Sequence, residues 1–253
     1  MNAPPPGSLL IEPERHALLP PHTAPALDAT LVLAPHPDDE SLGCGGLLAL
    51  LAESGRRVRV LFVTDGSRSH PQSRTHPAAR LAEVREAEAR AALAELGVPA
   101  DAARFLRFRD CGLPAENAPA FPDAVAQFHK AVADFAPDTL LVPWRRDPHC
   151  DHAATWRLAR AAVSTLSPAP RWLEYPVWAW AHATGDAAPR EDEADAWRLD
   201  ISPVLPRKQQ AIAQHRSQLG GLIHDDAEGF VLAPAMLAHF AMPWELFLEP
   251  KDG

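Results

Sequence analysis

Cysteine is scarce in this chain. Cys44, Cys111 and Cys150 are the only three in 253 residues, and no two of them stand in a CxxC spacing. An odd, sparse set argues against a disulfide framework and fits a reducing cytoplasm. Long apolar runs are missing too: none approaches the roughly 20 residues needed to cross a bilayer. The first residues, MNAPPPGSLLIEPERH, lack a basic segment followed by an apolar stretch, so no signal peptide is expected. Basic charge is in deficit, with 24 Lys and Arg against 33 Asp and Glu for a net charge of −9. Arg56-Arg57 and Arg145-Arg146 are isolated pairs. This argues against a nucleic-acid partner. Lysine is confined to Lys130, Lys208 and Lys251, which with abundant Ala and Arg fits a GC-rich bacterial genome. No repeat of 20–50 residues is visible. The expectation is a cytoplasmic protein with no membrane span.

What is present points to a single large core. Hydrophobic residues make up 47% of the chain. Residues 1–28 hold seven of the 27 prolines, and read as a proline-rich N-terminal arm that lies on the domain or embraces a neighbouring copy in a homo-oligomer. From residue 29 the pattern alternates. Strands are predicted at 29–34, 57–64, 104–108, 139–142, 172–180 and 197–201, and helices at 43–54, 78–96, 121–135, 153–164 and 203–219, with a mixed aromatic tail over 230–249. Alternation of this kind predicts one three-layer α/β domain over 29–253, a mostly parallel sheet with helices on both faces.

The chemistry is concentrated in two places. In Leu31–Gly46, LVLAPHPDDESLGCGG, a buried strand runs into His36, Asp38, Asp39 and Glu40. So much charge beside a buried strand is costly unless it is paired or bound to a cation. The second cluster, Asp147-Pro148-His149-Cys150-Asp151-His152, also follows a short apolar strand and precedes a helix. If the two strands are neighbours at a switch point, both clusters meet at one edge of the sheet. His36 and Asp39 with His152 then form a His₂-carboxylate set with open positions, as in catalytic zinc sites. Such a set also accepts Fe2+, Co2+ or Mn2+. Asp38, beside a ligand and free to reach a water, is the candidate base. His149 is the candidate donor to an oxyanion or leaving amine when protonated, and Asp151 the group that orients it.

APHPDDE after a strand, with HCDH about 110 residues later, resembles the PIG-L/LmbE-like family of zinc-dependent de-N-acetylases. The resemblance covers roughly residues 29–220, and implies a Rossmann-like fold and removal of acetyl from N-acetylglucosamine-type substrates. It also implies His36, Asp39 and His152 as zinc ligands, Asp38 as base and His149 as partner of the tetrahedral intermediate. Arg85-Glu86…Leu96-Gly97 and Lys208…His215-Arg216-Ser217-Gln218 are lesser matches. Two departures are Cys150, where many members have proline, and the additional arm.

The remaining candidates are weaker. Arg68, Asp65 and Asp110 end strands on the same edge, where they could bind sugar hydroxyls, and His215 is either a site-wall residue or a buried hydrogen-bonded one. Glu40 is expected to support its loop, Cys150 to be a bystander thiol, Trp144, Trp178 and Trp180 to pack in the core rather than stack on a sugar ring, and His70 and His76 to face solvent. Two other readings of the whole remain open: hydrolysis of another bond such as a phosphoester, and a non-catalytic carbohydrate-binding protein on the same fold.

Overall fold

A computed structural model describes residues 7–251, so the first six residues of the proline-rich arm lie outside the described part. The strands are β1 (Ala17–Leu19), β2 (Thr30–Ala34), β3 (Val58–Thr64), β4 (Ala103–Phe108), β5 (Thr139–Pro143), β6 (Arg171–Tyr175), β7 (Ala194–Asp200) and β8 (Trp244–Pro250). The α-helices are α1 (Asp39–Glu53), α2 (Ala78–Glu95), α3 (Phe121–Ala133), α4 (Cys150–Val163), α5 (Leu205–Gln214) and α6 (Pro234–Phe240). The strands form one sheet in the order β1-β7-β8-β6-β5-β2-β3-β4. All neighbours are parallel except the β6–β8 and β7–β8 pairs.

Side-chain alternation along β2 explains the layering. Val32 and Ala34 point into a core shared with α1 and α2, while Leu31 and Leu33 point into a second core shared with α3 and α4. A strand buried on both sides must be apolar throughout, and TLVLA shows no solvent exposure of its apolar residues. The order of the strands places the site. From β2 the chain winds outward through β3 to β4, then returns to lay β5 on the other side of β2. The carboxyl ends of β2 and β5 therefore flank a switch point, and both charged clusters sit there.

Several elements differ from the sequence expectation; the helix expected over 203–219, for one, ends at Gln214. Helix α1 starts at Asp39 rather than residue 43, so its glycines lie inside it. A Cβ at Gly43 would collide with the ring of Tyr175, and one at Gly46 with Ile201. These glycines permit close packing of the helix and do not loosen its start, although glycine in a helix interior costs about 1 kcal/mol relative to alanine. The strand expected over 172–180 stops at Tyr175, because Pro176 has no N–H for the ladder, and Trp178–His182 turns into a 3₁₀-helix. The tail contains β8, which pairs antiparallel with β7 along seven residues. Within the expected arm, β1 adds a parallel edge strand against β7, and Ala24 and Leu27 are buried.

Helix α1 is tied down by a buried ion pair. Lys208 Nζ donates to Glu245 Oε1 at 2.8 Å, and the two oxygens of Glu245 also accept the N–H groups of Gly46 and Leu47 at 2.6 and 2.8 Å. Among the described residues, no helix is long and apolar enough to cross a membrane.

Candidate active site

Pro35–Asp38 leaves β2 as a short turn, and Asp39 becomes the first residue of α1. Its carboxylate folds back, with Oδ2 accepting the His36 backbone N–H at 2.8 Å. The same oxygen lies 3.3 Å from His36 Nδ1 and 3.2 Å from His152 Nε2. His36, Asp39 and His152 are thus brought to one point from two strand ends. His149 closes the group: a nitrogen from each of His36, His149 and His152 can be chosen so that all three lie within 4.8 Å of one another.

Each of the two buried imidazoles has a carboxylate behind it. His36 Nε2 is 3.1 Å from Asp151 Oδ2 and 3.5 Å from Asp110 Oδ1. His152 Nδ1 is 3.4 Å from Asp147 Oδ1. Carboxylates behind histidines fix tautomer and ring orientation in metal sites. Asp147 is itself anchored, since Oδ2 accepts the N–H groups of Val177, Trp178 and Ala179 at 3.2, 2.8 and 3.3 Å. Those contacts also start the 3₁₀ turn after β6.

Burial opposes positive charge on His36 and His152, yet both are raised above their ordinary value. Asp110, Asp151 and Asp39 outweigh burial at His36, as Asp39 and Asp147 do at His152. The pocket therefore demands positive charge. His152 is fully buried and neither ring nitrogen has a hydrogen-bond partner, although Nε2 faces Asp39. An orphaned imidazole nitrogen, a carboxylate oxygen and a second imidazole nitrogen facing one point fit a divalent cation, which would supply the missing charge.

Asp38 lines the cavity beside this group. Arg85 of α2, itself buried, donates to Asp38 Oδ2 at 3.0 Å and to the carbonyls of Pro37 and Gly66 at 2.9 and 3.0 Å. Burial lifts the Asp38 carboxyl to about 6 against the opposing pull of Arg85. His149 moves the other way: burial, then the neighbouring His36 and His152, hold it down at about 4. It is the N-cap of α4, and its Nδ1 accepts the Asp151 backbone N–H at 3.2 Å, so the neutral ring carries its proton on Nε2.

Several expectations need correction here. Asp151 does not orient His149 through its carboxylate, which lies against His36 and accepts the Cys111 N–H at 2.8 Å. Only the Asp151 amide reaches His149. Neither is His149 poised as a cation, because burial beside two other histidines favours the neutral ring. His215 is not in the cavity wall. It is buried with Nε2 3.1 Å from Glu40 Oε1 and 3.3 Å from Ser41 Oγ, supporting the start of α1. Glu40 is the other half of that support.

Arg68 lines the cavity, and its backbone N–H donates to Asp110 Oδ2 at 2.9 Å. Asp110 also lines it but is partly committed to His36. Asp65 is held back, with Oδ1 accepting the N–H groups of Ser67 and Asp110 at 3.0 and 3.1 Å. His70 and His76 are buried rather than solvent-facing. Asp225, just before the tail, accepts from Ser73 Oγ, Thr75 Oγ1 and the Arg74 and Thr75 amides, holding its segment onto that loop. Trp144 and Trp180 pack in the core, whereas Trp178 lines the cavity together with Phe230, their rings 5.5 Å apart. Asp147 and Arg85 had no role assigned from sequence. The spacing of Asp147 to His152 across a loop and one helical turn was the available signal for the first, and the Arg85-Glu86 pair for the second.

The cavity, about 200 Å³, thus has a charged floor and an aromatic rim. A family model described as GlcNAc-PI de-N-acetylase (PIG-L) matches residues 31–163, which span both charged clusters. The chain belongs to the PIG-L family. Among the curated relatives of this PIG-L member is 1D-myo-inositol 2-acetamido-2-deoxy-alpha-D-glucopyranoside deacetylase of Mycobacterium sp. (strain KMS), 33% identical over 228 residues, covering 73% of this chain and 72% of that protein. The solved N,N'-diacetylchitobiose deacetylase from Pyrococcus horikoshii shares the fold at a TM-score of 0.59 and 23% identity, over 83% of this chain and 73% of that one. GalB, the 4-carboxy-2-hydroxymuconate hydratase of Pseudomonas putida KT2440, shares it at a TM-score of 0.67 and 18% identity, over 89% and 97%. Proteins of differently named activity therefore share this fold, and the fold by itself does not decide the reaction.

Proposed function

We propose that this PIG-L member is a metal-dependent hydrolase that removes the acetyl group from an N-acetylglucosamine-type amino sugar or its conjugate, releasing acetate and the free amine. The observation that carries the reading is the meeting of His36, Asp39 and His152 at one point, with Asp38 and His149 on the same cavity. The 2-acetamido sugar named for the mycobacterial relative supports the substrate class.

His36, Asp39 and His152 would hold the cation, and Asp151 and Asp147 would keep their imidazoles aimed at it. Zinc suits a His₂-carboxylate set, as do Fe2+, Co2+ and Mn2+. When bound, the cation polarises the amide carbonyl and makes a water acidic near neutral pH. Asp38 accepts the proton of the attacking water; with its carboxyl held at about 6, it is ionised at neutral pH and still basic enough to serve. Arg85 keeps that carboxylate in place. Neutral His149 presents Nε2–H to the oxyanion that develops on the former carbonyl oxygen, a donor fixed in direction by the Asp151 amide. Asp38, protonated in the first step, returns its proton to the departing amine. Arg68 and Asp110 stand where sugar hydroxyls can be bound, and Trp178 and Phe230 offer apolar faces to the ring or the aglycone.

The direct test is acetate release from a panel of N-acetylglucosamine conjugates by the metal-loaded protein. Asp38→Asn is expected to lower the rate on the order of 10²–10⁴-fold, the usual contribution of a general base, with metal content unchanged. His36→Ala and His152→Ala are expected to lose metal and activity together. Undiminished deacetylation by Asp38→Asn, or no acetate from any N-acetylated amino sugar by the loaded wild type, would overturn the proposal.

A further inference from the structure

A second set of soft ligands lies beside the cavity, which Cys111 and His149 line. A sulfur from each of Cys111 and Cys150 and a ring nitrogen of His149 all lie within 4.8 Å of one another. The two thiols come from different strand ends: Cys111 follows β4 and Cys150 opens α4. Both cysteines are exposed, in contrast to the fully buried Cys44. Cys111 adopts a φ of +53°, a left-handed backbone that a non-glycine residue takes only against strain. Its N–H is fixed on Asp151 Oδ2, and its thiol lies 3.4 Å from Asp110 Oδ1.

We infer that Cys111, Cys150 and His149 form a second cation site, selective for a thiophilic divalent ion such as Zn2+, separate from the His36–Asp39–His152 centre. Two sulfurs and one imidazole leave a fourth tetrahedral position for water, and small side-chain movements bring such a set to Zn–S and Zn–N distances of about 2.3 and 2.0 Å. As the cation binds, each thiol releases its proton to solvent and the imidazole contributes a lone pair. Asp110 and Asp151, which stand nearest to Cys111, add negative charge that attracts the ion.

The site shares His149 with the chemistry proposed above. An ion at the thiols draws on the Nδ1 lone pair, displaces the Asp151 amide that fixes the ring and turns the Nε2–H away from the oxyanion, so occupancy of the second site switches the first off. That consequence rests on the proposed deacetylase reading, whereas the binding itself does not. The site would make the enzyme sensitive to free zinc while the catalytic ion stays bound.

The decisive measurement is a titration of the protein, already loaded with one equivalent of Zn2+ and kept under a phosphine reductant, with Co2+ and separately with more Zn2+. Wild type is expected to take a second equivalent, with a sulfur-to-cobalt charge-transfer band and protection of two thiols from a disulfide reagent. Cys111→Ser and Cys150→Ser should each lose the band, and the double variant should bind one equivalent only. In the deacetylation assay, excess Zn2+ should inhibit wild type and spare the double variant, whose activity with one equivalent is unchanged. A one-equivalent endpoint in wild type, or a second equivalent that survives in the double variant, overturns the second site. Failure of deacetylation alone leaves the titration readable, so the two proposals fail separately.

Discussion

Replacing Asp147 by asparagine alters one group of atoms and should weaken metal binding, although Asp147 is not itself among the proposed ligands. The carboxylate performs three jobs: Oδ2 receives three backbone N–H groups from 177–179, while Oδ1 accepts the His149 N–H at 3.3 Å and stands 3.4 Å from His152 Nδ1. An asparagine can keep its carbonyl oxygen on the three amides. Its NH₂ group then faces His152 Nδ1. A donor at that point makes Nδ1 the acceptor and moves the ring proton to Nε2, the nitrogen that faces Asp39. An Nε2 that carries a proton cannot ligate. Loss of an outer partner of a metal-bound histidine typically costs about 10–100-fold in metal affinity or activity. That corresponds to about 1.4–2.8 kcal/mol of binding free energy. The assay is Zn2+ affinity by competition with a chromophoric chelator, with thermal unfolding of the metal-free protein as control. A variant that unfolds like wild type but binds Zn2+ about 10–100-fold more weakly is the expected result. Unchanged affinity in a folded variant would refute the assignment of Asp147 to His152.

Gly43→Ala forces a methyl group into the ring of Tyr175, which cannot retreat because its hydroxyl donates to the Leu33 carbonyl at 2.7 Å. Overpacking of this kind costs about 1–3 kcal/mol, offset in part by alanine's helix propensity, and should lower the urea midpoint; an equal or higher midpoint would contradict the packing argument. Glu245→Gln leaves the Lys208 ammonium buried without its counter-charge, and should destabilise by about 3–5 kcal/mol in equilibrium unfolding, with Lys208→Met/Glu245→Gln milder than the single change. At His215, burial opposes the charged form but Glu40 prevails, so the folded pKa is raised above 6.5. The stabilisation is therefore complete below about pH 6.5 and fades as pH rises through the folded value, so His215→Gln should flatten the pH dependence of the urea midpoint on that side. An unaltered slope would remove the Glu40–His215 pair from the account.

The local chemistry was legible in the chain itself. A continuous apolar strand followed by HPDDE, and a second one followed by a His-Cys-Asp-His block, state that charge is placed at strand ends. Alternating elements state that such ends share one edge of a parallel sheet. Residue type also limits which groups can ligate a cation or move a proton. Three things were not legible, each for a physical reason. Helix α1 begins four residues earlier than its composition suggests, because its glycines answer to Tyr175 and Ile201, residues more than a hundred positions away. The strand β8 and its Glu245 are unreadable locally, since a buried glutamate makes sense only beside Lys208.

The assignment of carboxylates to histidines was the third. Asp151 sits beside His149 in sequence yet serves His36, and Asp147 serves His152, because Asp147 lies in the loop before α4 and Asp151 in its first turn, and their carboxylates face different histidines. Adjacency along a chain fixes which groups are near one another. Which proton each group holds depends on the direction of its side chain, and that is settled by the packing of two helices onto opposite faces of one sheet.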